Sequence, residues 1–273
     1  MTLTRVGRPA LCALAFAALA ACTTTTTTSQ RTPEATDPSN TNPNDPSEVA
    51  RRTRVRLELA SAYFAQGQTT TALDEVKLAL QANPNSVEAY NLRGLIYARL
   101  ADDAQADASF KQALQINPRD ADTLHNYGWY QCQQGRYAEA QALFTQVQAL
   151  PQFRDAPRVL LVQGVCQARA GQMAEAERSL ARAFEVDPSN VAVQVNLAEV
   201  LYRRGELERA RFYIKRVNNQ PEQSNAQTLW LAAKIEHAAK QQHALDELGA
   251  QLRRRFPQSR EAAAFEQGRF DGQ

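Results

Sequence analysis

Side chains able to carry out chemistry are few in this 273-residue protein, and they are poorly spaced for catalysis. The three histidines are His125, His237 and His243. The last two stand six apart across what reads as a helix-turn segment, a spacing that does not bring two imidazoles to one metal. No glycine-rich phosphate loop or nucleophile elbow occurs. Acidic pairs such as Asp102-Asp103 fall in turns, where solvation accounts for them. No enzymatic activity, no cofactor and no metal are therefore expected. Of the four cysteines, Cys12, Cys22, Cys132 and Cys166, the second has the most telling context. It follows Arg5, Arg8 and an apolar run from Ala10 to Ala21 closed by small residues, the pattern of a secretory signal. That run is too short to cross a bilayer, which takes about 20 residues, so residues 1–21 are read as a targeting segment.

The order Leu19-Ala20-Ala21-Cys22 resembles the lipobox of bacterial lipoproteins. The resemblance implies that Cys22 is acylated and becomes the new N-terminus, held in a membrane by several acyl groups. The alternative is an ordinary signal peptide with Cys22 incidental. By resemblance to lipoprotein sorting, Thr23 in place of an aspartate implies the periplasmic face of the outer membrane. Residues 22–48 are rich in Thr, Ser, Asn, Asp and Pro, too poor in apolar surface to fold, and are expected to be a disordered tether spanning ~28 Å as a coil. Without residues 1–21, which hold Arg5 and Arg8 and no acid, 29 basic side chains face 29 acidic ones. A neutral protein with no basic-aromatic stretch gives no reason to expect nucleic acid.

The elements that must position any site come from a repeat. Small residues recur as Ala60, Gly94, Gly128, Gly164, Ala198 and Ala232, and again as Ala72, Ala106, Ala140, Ala176, Ala210 and Ala244. Both series step by 34 residues, except for a shared step of 36 between the third and fourth members. Tyr63 and Tyr97, Phe110 and Phe144, and Pro84, Pro118 and Pro188 keep the same phase. This period and order resemble the tetratricopeptide repeat, a helix-turn-helix unit. The fold expected is all-α: a right-handed superhelical solenoid of six repeats (53–86, 87–120, 121–154, 157–190, 191–224 and 225–258) with a short C-terminal capping helix, within a domain at 49–273. Gly67, Gly135, Gly171 and Gly205 fall at the turn inside a unit, where a left-handed residue ends the first helix. Ala101-Asp102-Asp103 and Lys240-Gln241-Gln242 occupy that turn in units two and six as weaker matches. Ser259 reads as the N-cap of the last helix.

A solenoid of this kind offers a concave face made by the first helix of each unit. The repeat's groove positions, three residues before and one after the small residue, are Leu57 and Ser61, Asn91 and Leu95, His125 and Trp129, and Leu161 and Val165. The series continues through Val195 and Glu199 to Leu229 and Ala233. This groove is mostly apolar and lacks the Lys and Asn pairs with which chaperone-binding tetratricopeptide domains clamp a C-terminal carboxylate. The expected ligand is an apolar or amphipathic protein segment, with Trp129 as its exposed anchor. Packing of these side chains against neighbouring helices is the competing reading. Cys132 and Cys166 fall on first helices of adjacent units. A structural disulfide, favoured by an oxidising periplasm, and two packed thiols both remain open.

The segments Asn126-Tyr127-Gly128-Trp129-Tyr130-Gln131-Cys132, Gly164-Val165-Cys166, Thr228-Leu229-Trp230-Leu231-Ala232-Ala233 and Arg255-Phe256-Pro257 resemble the type IV pilus biogenesis/stability lipoprotein family, PilF/PilW. The sequence departs from that pattern at Val162-Gln163, where an asparagine is expected. The resemblance implies a pilotin, an outer-membrane lipoprotein, here expected to be a monomer, that binds subunits of the pilus secretin and promotes their delivery and ring assembly. An envelope scaffold for peptidoglycan enzymes or barrel-assembly factors is the alternative.

Overall fold

Helix starts are set by side-chain oxygens that accept from otherwise unpaired backbone N–H groups, each worth about 1 kcal/mol. Asp45, Ser86, Asp120, Asn190, Asn225 and Ser259 each accept such a bond at the head of a helix. In the computed structural model, which describes residues 44–154 and 156–270, these caps head first helices of five repeats and the last helix of the protein. Residues 1–43, with the expected signal, Cys22 and most of the tether, lie outside the described residues. The six hairpins are α1 (Pro46–Ala65) with α2 (Thr69–Ala82), α3 (Val87–Arg99) with α4 (Asp103–Ile116), and α5 (Ala121–Gln133) with α6 (Tyr137–Gln148). They continue as α7 (Pro157–Arg169) with α8 (Met173–Val186), α9 (Val191–Arg203) with α10 (Leu207–Asn218), and α11 (Ala226–Ala238) with α12 (Gln242–Arg255). A short α13, Arg260–Glu266, follows. The described part is all-α.

One boundary moves. The expected tether runs to residue 48, but α1 begins at Pro46 and is the longest helix, at 20 residues. Pro46 does not interrupt the helix because it stands at the first helical position, where its missing N–H has no partner to lose, and Asp45 caps the turn.

The small-residue series marks where the two helices of a hairpin touch. A Cβ at Gly94, Gly128 or Gly164 would lie 2.7, 2.8 or 2.6 Å from a side-chain atom of Phe110, Phe144 or Leu180. Those three side chains have no exposed surface. Each partner lies 16 residues further on, and where the small residue is Ala60 or Ala198 the residue at that offset is Val76 or Ile214, narrower and also buried. The second helix ends on a repeated device: Asn83, Asn117 and Asp187 precede a proline and accept from the N–H two residues on. Within units, Ala101 and Lys240 adopt a left-handed φ, 58° and 57°, as do the four turn glycines at 73° to 78°.

First helices pack on one another along the whole series, α1 on α3 through to α9 on α11, whereas second helices mainly meet the first helix of the next hairpin. The closer row forms the inside of the curve, so α1, α3, α5, α7, α9 and α11 supply the groove. The 36-residue step is absorbed by a 3-10 turn, Pro151–Phe153, ahead of α7, which starts on Pro157 without a hydrogen-bonding residue to cap it. The two ends differ. At the C-terminal end Phe270 is buried, stacked on Trp230 and His237, and α13 packs Ala262 and Phe265 against Leu252. At the N-terminal end Val55, Leu59 and Leu78 remain exposed.

Candidate functional site

Leu57 and Ser61 line the first stretch of the groove, an open hollow of about 660 Å³ shared with Thr53, Glu58 and Asn83. Leu57 is half-buried on the core of the first hairpin and Ser61 is exposed. Further along, Asn91 accepts a hydrogen bond from Asn126 Nδ2 at 3.2 Å, joining α3 to α5. Leu95 is half-buried against the core formed by α4 to α6. Leu161 and Val165 are half-buried too, and Val165 lines a smaller hollow of about 200 Å³ with Ala168, Arg169, Asn196, Glu199 and Arg203.

Three expectations change. His125 is 7 % exposed, so it belongs to the floor and not to the contact surface. Burial, assisted by the positive charge of Arg158 and opposed by Asp122, lowers its pKa to about 4, and its Nδ1 has no hydrogen-bond partner. The imidazole is neutral at pH 7. Trp129 is not a bare anchor. It packs on the cluster of Cys132, Phe144 and Cys166, while the Arg169 guanidinium lies 4.8 Å from its ring centre. Leu229 and Ala233 have no exposed surface, because α12, α13 and Phe270 enclose them, so the groove stops short of the sixth repeat.

Cys132 and Cys166 form a disulfide, with Cα atoms 5.8 Å apart. They are 34 residues apart whereas Gly128 and Gly164 are 36 apart, so their different repeat positions are what lets them meet after the two-residue insertion. The bridge ties α5 to α7 directly beneath Trp129.

The groove also carries a basic row absent from the expected set. Arg99, Arg169 and Arg203 each stand five residues past the small residue of their unit, one turn beyond Leu95, Val165 and Glu199 and on the same helix face. Reading that offset down the repeats would have found them. Arg99 lies 4.4 Å from the ring centre of Phe64. Arg203 is held by Glu199 at 2.8 Å, and Lys234 approaches the same carboxylate at 3.7 Å. The face is thus an apolar trough with cations along one wall. Among the described residues no three His, Cys, Asp or Glu side chains gather as a metal site, and no helix is long and apolar enough to cross a membrane. Such an arrangement can hold a polypeptide segment.

Comparison with known proteins agrees with the repeat type. Profiles described as tetratricopeptide repeats match residues 60–100, 87–120, 109–142, 128–184 and 167–235. The protein is similar to the type IV pilus assembly protein PilF of Pseudomonas aeruginosa, 24% identical over 210 residues, covering 77% of this chain and 83% of PilF. A solved structure of P. aeruginosa PilF superposes with a TM-score of 0.69 at 22% identity, over 81% of this chain and 99% of the other. The structure of PilW, described as a widely conserved type IV pilus biogenesis factor, superposes with a TM-score of 0.73 at 31% identity, over 78% of this chain and 97% of PilW. The six hairpins, the groove and this near-complete match to PilW place the protein in the tetratricopeptide-repeat family of type IV pilus biogenesis factors that includes PilW and PilF.

Proposed function

We propose that the protein is a pilotin: an outer-membrane lipoprotein, anchored through Cys22, whose groove binds subunits of the type IV pilus secretin and promotes their localisation and ring assembly. The observation that carries this reading is the match over 78% of this chain and 97% of PilW at 31% identity, which aligns most of this protein with a pilus biogenesis factor. The physical parts suit the task. Acyl groups at Cys22 would supply the membrane address, the Thr- and Pro-rich residues after it the reach, and the trough between Leu57 and Val165 the recognition. A partner seated there would travel with the lipid.

The test is affinity isolation of the full-length protein from detergent-solubilised envelopes of its own host, with the secretin quantified in the eluate. Recovery of secretin subunits is expected. Recovery of cell-wall hydrolases or barrel-insertion factors without secretin would assign the protein to an envelope scaffold instead. In parallel, Cys22→Ser should leave a folded protein that no longer fractionates with the outer membrane. Retention of that variant in the outer membrane would refute the lipid anchor.

A further inference from the structure

The groove distinguishes two kinds of cation. Arg203 and Lys234, toward the C-terminal end, already face the Glu199 carboxylate. Arg99 and Arg169 have no ion-pair partner within 4 Å among the described residues, although Glu199, already held by Arg203, lines the same hollow as Arg169, and each is laid over an aromatic ring of the preceding first helix, Phe64 in one case and Trp129 in the other. Stacking fixes the plane of a guanidinium and removes part of its rotational freedom, so its N–H fork is set for a carboxylate before any ligand arrives. Elsewhere on this face Asp122 pairs with Arg158, Glu58 lies 3.8 Å from Arg54 and Glu88 accepts from Ser86, so none of these acids answers the two stacked arginines.

About two turns nearer the start of the first helices lies a second device. Asn126 Nδ2 donates to Asn91 Oδ1, which leaves the amide N–H groups of Asn91 to donate and Asn126 Oδ1 to accept. The C=O and N–H of a peptide backbone are the natural complement. A helical ligand has those groups bonded internally, whereas an extended segment presents them.

Resting on the groove reading above, we infer that the groove takes an extended, apolar segment of the partner bearing acidic side chains, whose carboxylates pair with Arg99 and Arg169 and whose backbone pairs with Asn91 and Asn126. The apolar side chains of that segment settle into the hollows lined by Leu57 and by Val165 with Ala168. The partner strand thereby acquires register from charges at two places and amides at a third.

The experiment uses the full-length protein in detergent and overlapping 15-residue synthetic peptides covering the periplasmic part of the host's secretin, read by fluorescence polarisation. Binding peptides are expected to contain Asp or Glu. Replacing those acids with Asn or Gln should weaken binding about tenfold, and so should raising the salt concentration. On the protein side, R169E should lose the acidic peptides and gain versions carrying Lys at the same places, with circular dichroism confirming the helical content. Because the peptide substitutions leave the protein untouched, the inference stays testable even if an arginine variant fails to fold. Peptides that bind equally well with acids or amides overturn it. If no peptide binds but the intact secretin subunit is captured, the extended-segment inference falls while the pilotin reading stands. If neither binds, the pilotin reading falls and takes the inference with it.

Discussion

Gly128→Ala puts the packing rule of the hairpins to a quantitative test. On an exposed helix this exchange is favourable by about 1 kcal/mol, since alanine is the best helix former and glycine among the worst. Here the new Cβ would stand 2.8 Å from the ring of Phe144, a residue with no exposed surface that packs with Cys132, Ala140 and Cys166. Overpacking of a close core costs about 1–3 kcal/mol, so the net expectation is a loss of up to about 2 kcal/mol. Phe144→Ile alone should also destabilise, by opening a cavity. The double variant recreates the alanine-over-isoleucine pairing already present as Ala198 and Ile214, where both residues are buried. Its loss should be smaller than the sum of the two single losses by about 1–2 kcal/mol. Urea unfolding followed by circular dichroism, with the disulfide kept oxidised, gives all four corners of the cycle. Stabilisation by Gly128→Ala alone, or strict additivity in the double variant, would refute the steric argument.

Reducing the Cys132–Cys166 bridge, or replacing both cysteines with serine, should lower stability by about 2–4 kcal/mol, since a closed loop of this length removes roughly that much denatured-state entropy; the urea midpoint with and without reductant measures it. Ala101→Gly and Lys240→Gly should each stabilise by about 0.5–1 kcal/mol, because both residues hold a left-handed φ that a Cβ opposes; thermal midpoints decide. His125 has a folded pKa of about 4, below its ordinary value, so its contribution is complete above pH 6.5 and is lost as pH falls from there toward 4. Between pH 6.5 and 5 the loss should be about 2 kcal/mol, and His125→Leu should flatten that part of the stability-pH curve.

The periodic features are legible because each recurs at a fixed offset. Small residues, turn glycines and prolines mark the hairpins, and the offset of 16 between Gly128 and Phe144 can be read directly from the sequence. The basic row recurs in three of the six units, at five past Gly94, Gly164 and Ala198, but it lies one turn outside the positions that define the repeat's groove. What the period does not reveal is which side chains meet across repeats or beyond the last one. Phe270 lies beyond the last hairpin, so nothing in the repeat says that it stacks on Trp230 and encloses Ala233. Arg169 covers Trp129 from 40 residues away, a separation lengthened by the insertion, and that contact changes Trp129 from an anchor into a platform. The burial of His125 depends on how closely α5 and its neighbours approach, which residue type alone does not specify.

The unlike ends make the stack directional as a modular object. Phe270 and α13 seal one terminus with aromatic packing, while Val55, Leu59 and Leu78 leave the other as an unfinished interface. A designed hairpin spliced ahead of Pro46 would meet a surface already shaped like the inside of the array. The same hairpin joined after Phe270 would first have to displace a plug. Lengthening by duplication therefore has an easy direction and a blocked one, and engineered variants with wider recognition spans should be built from the front.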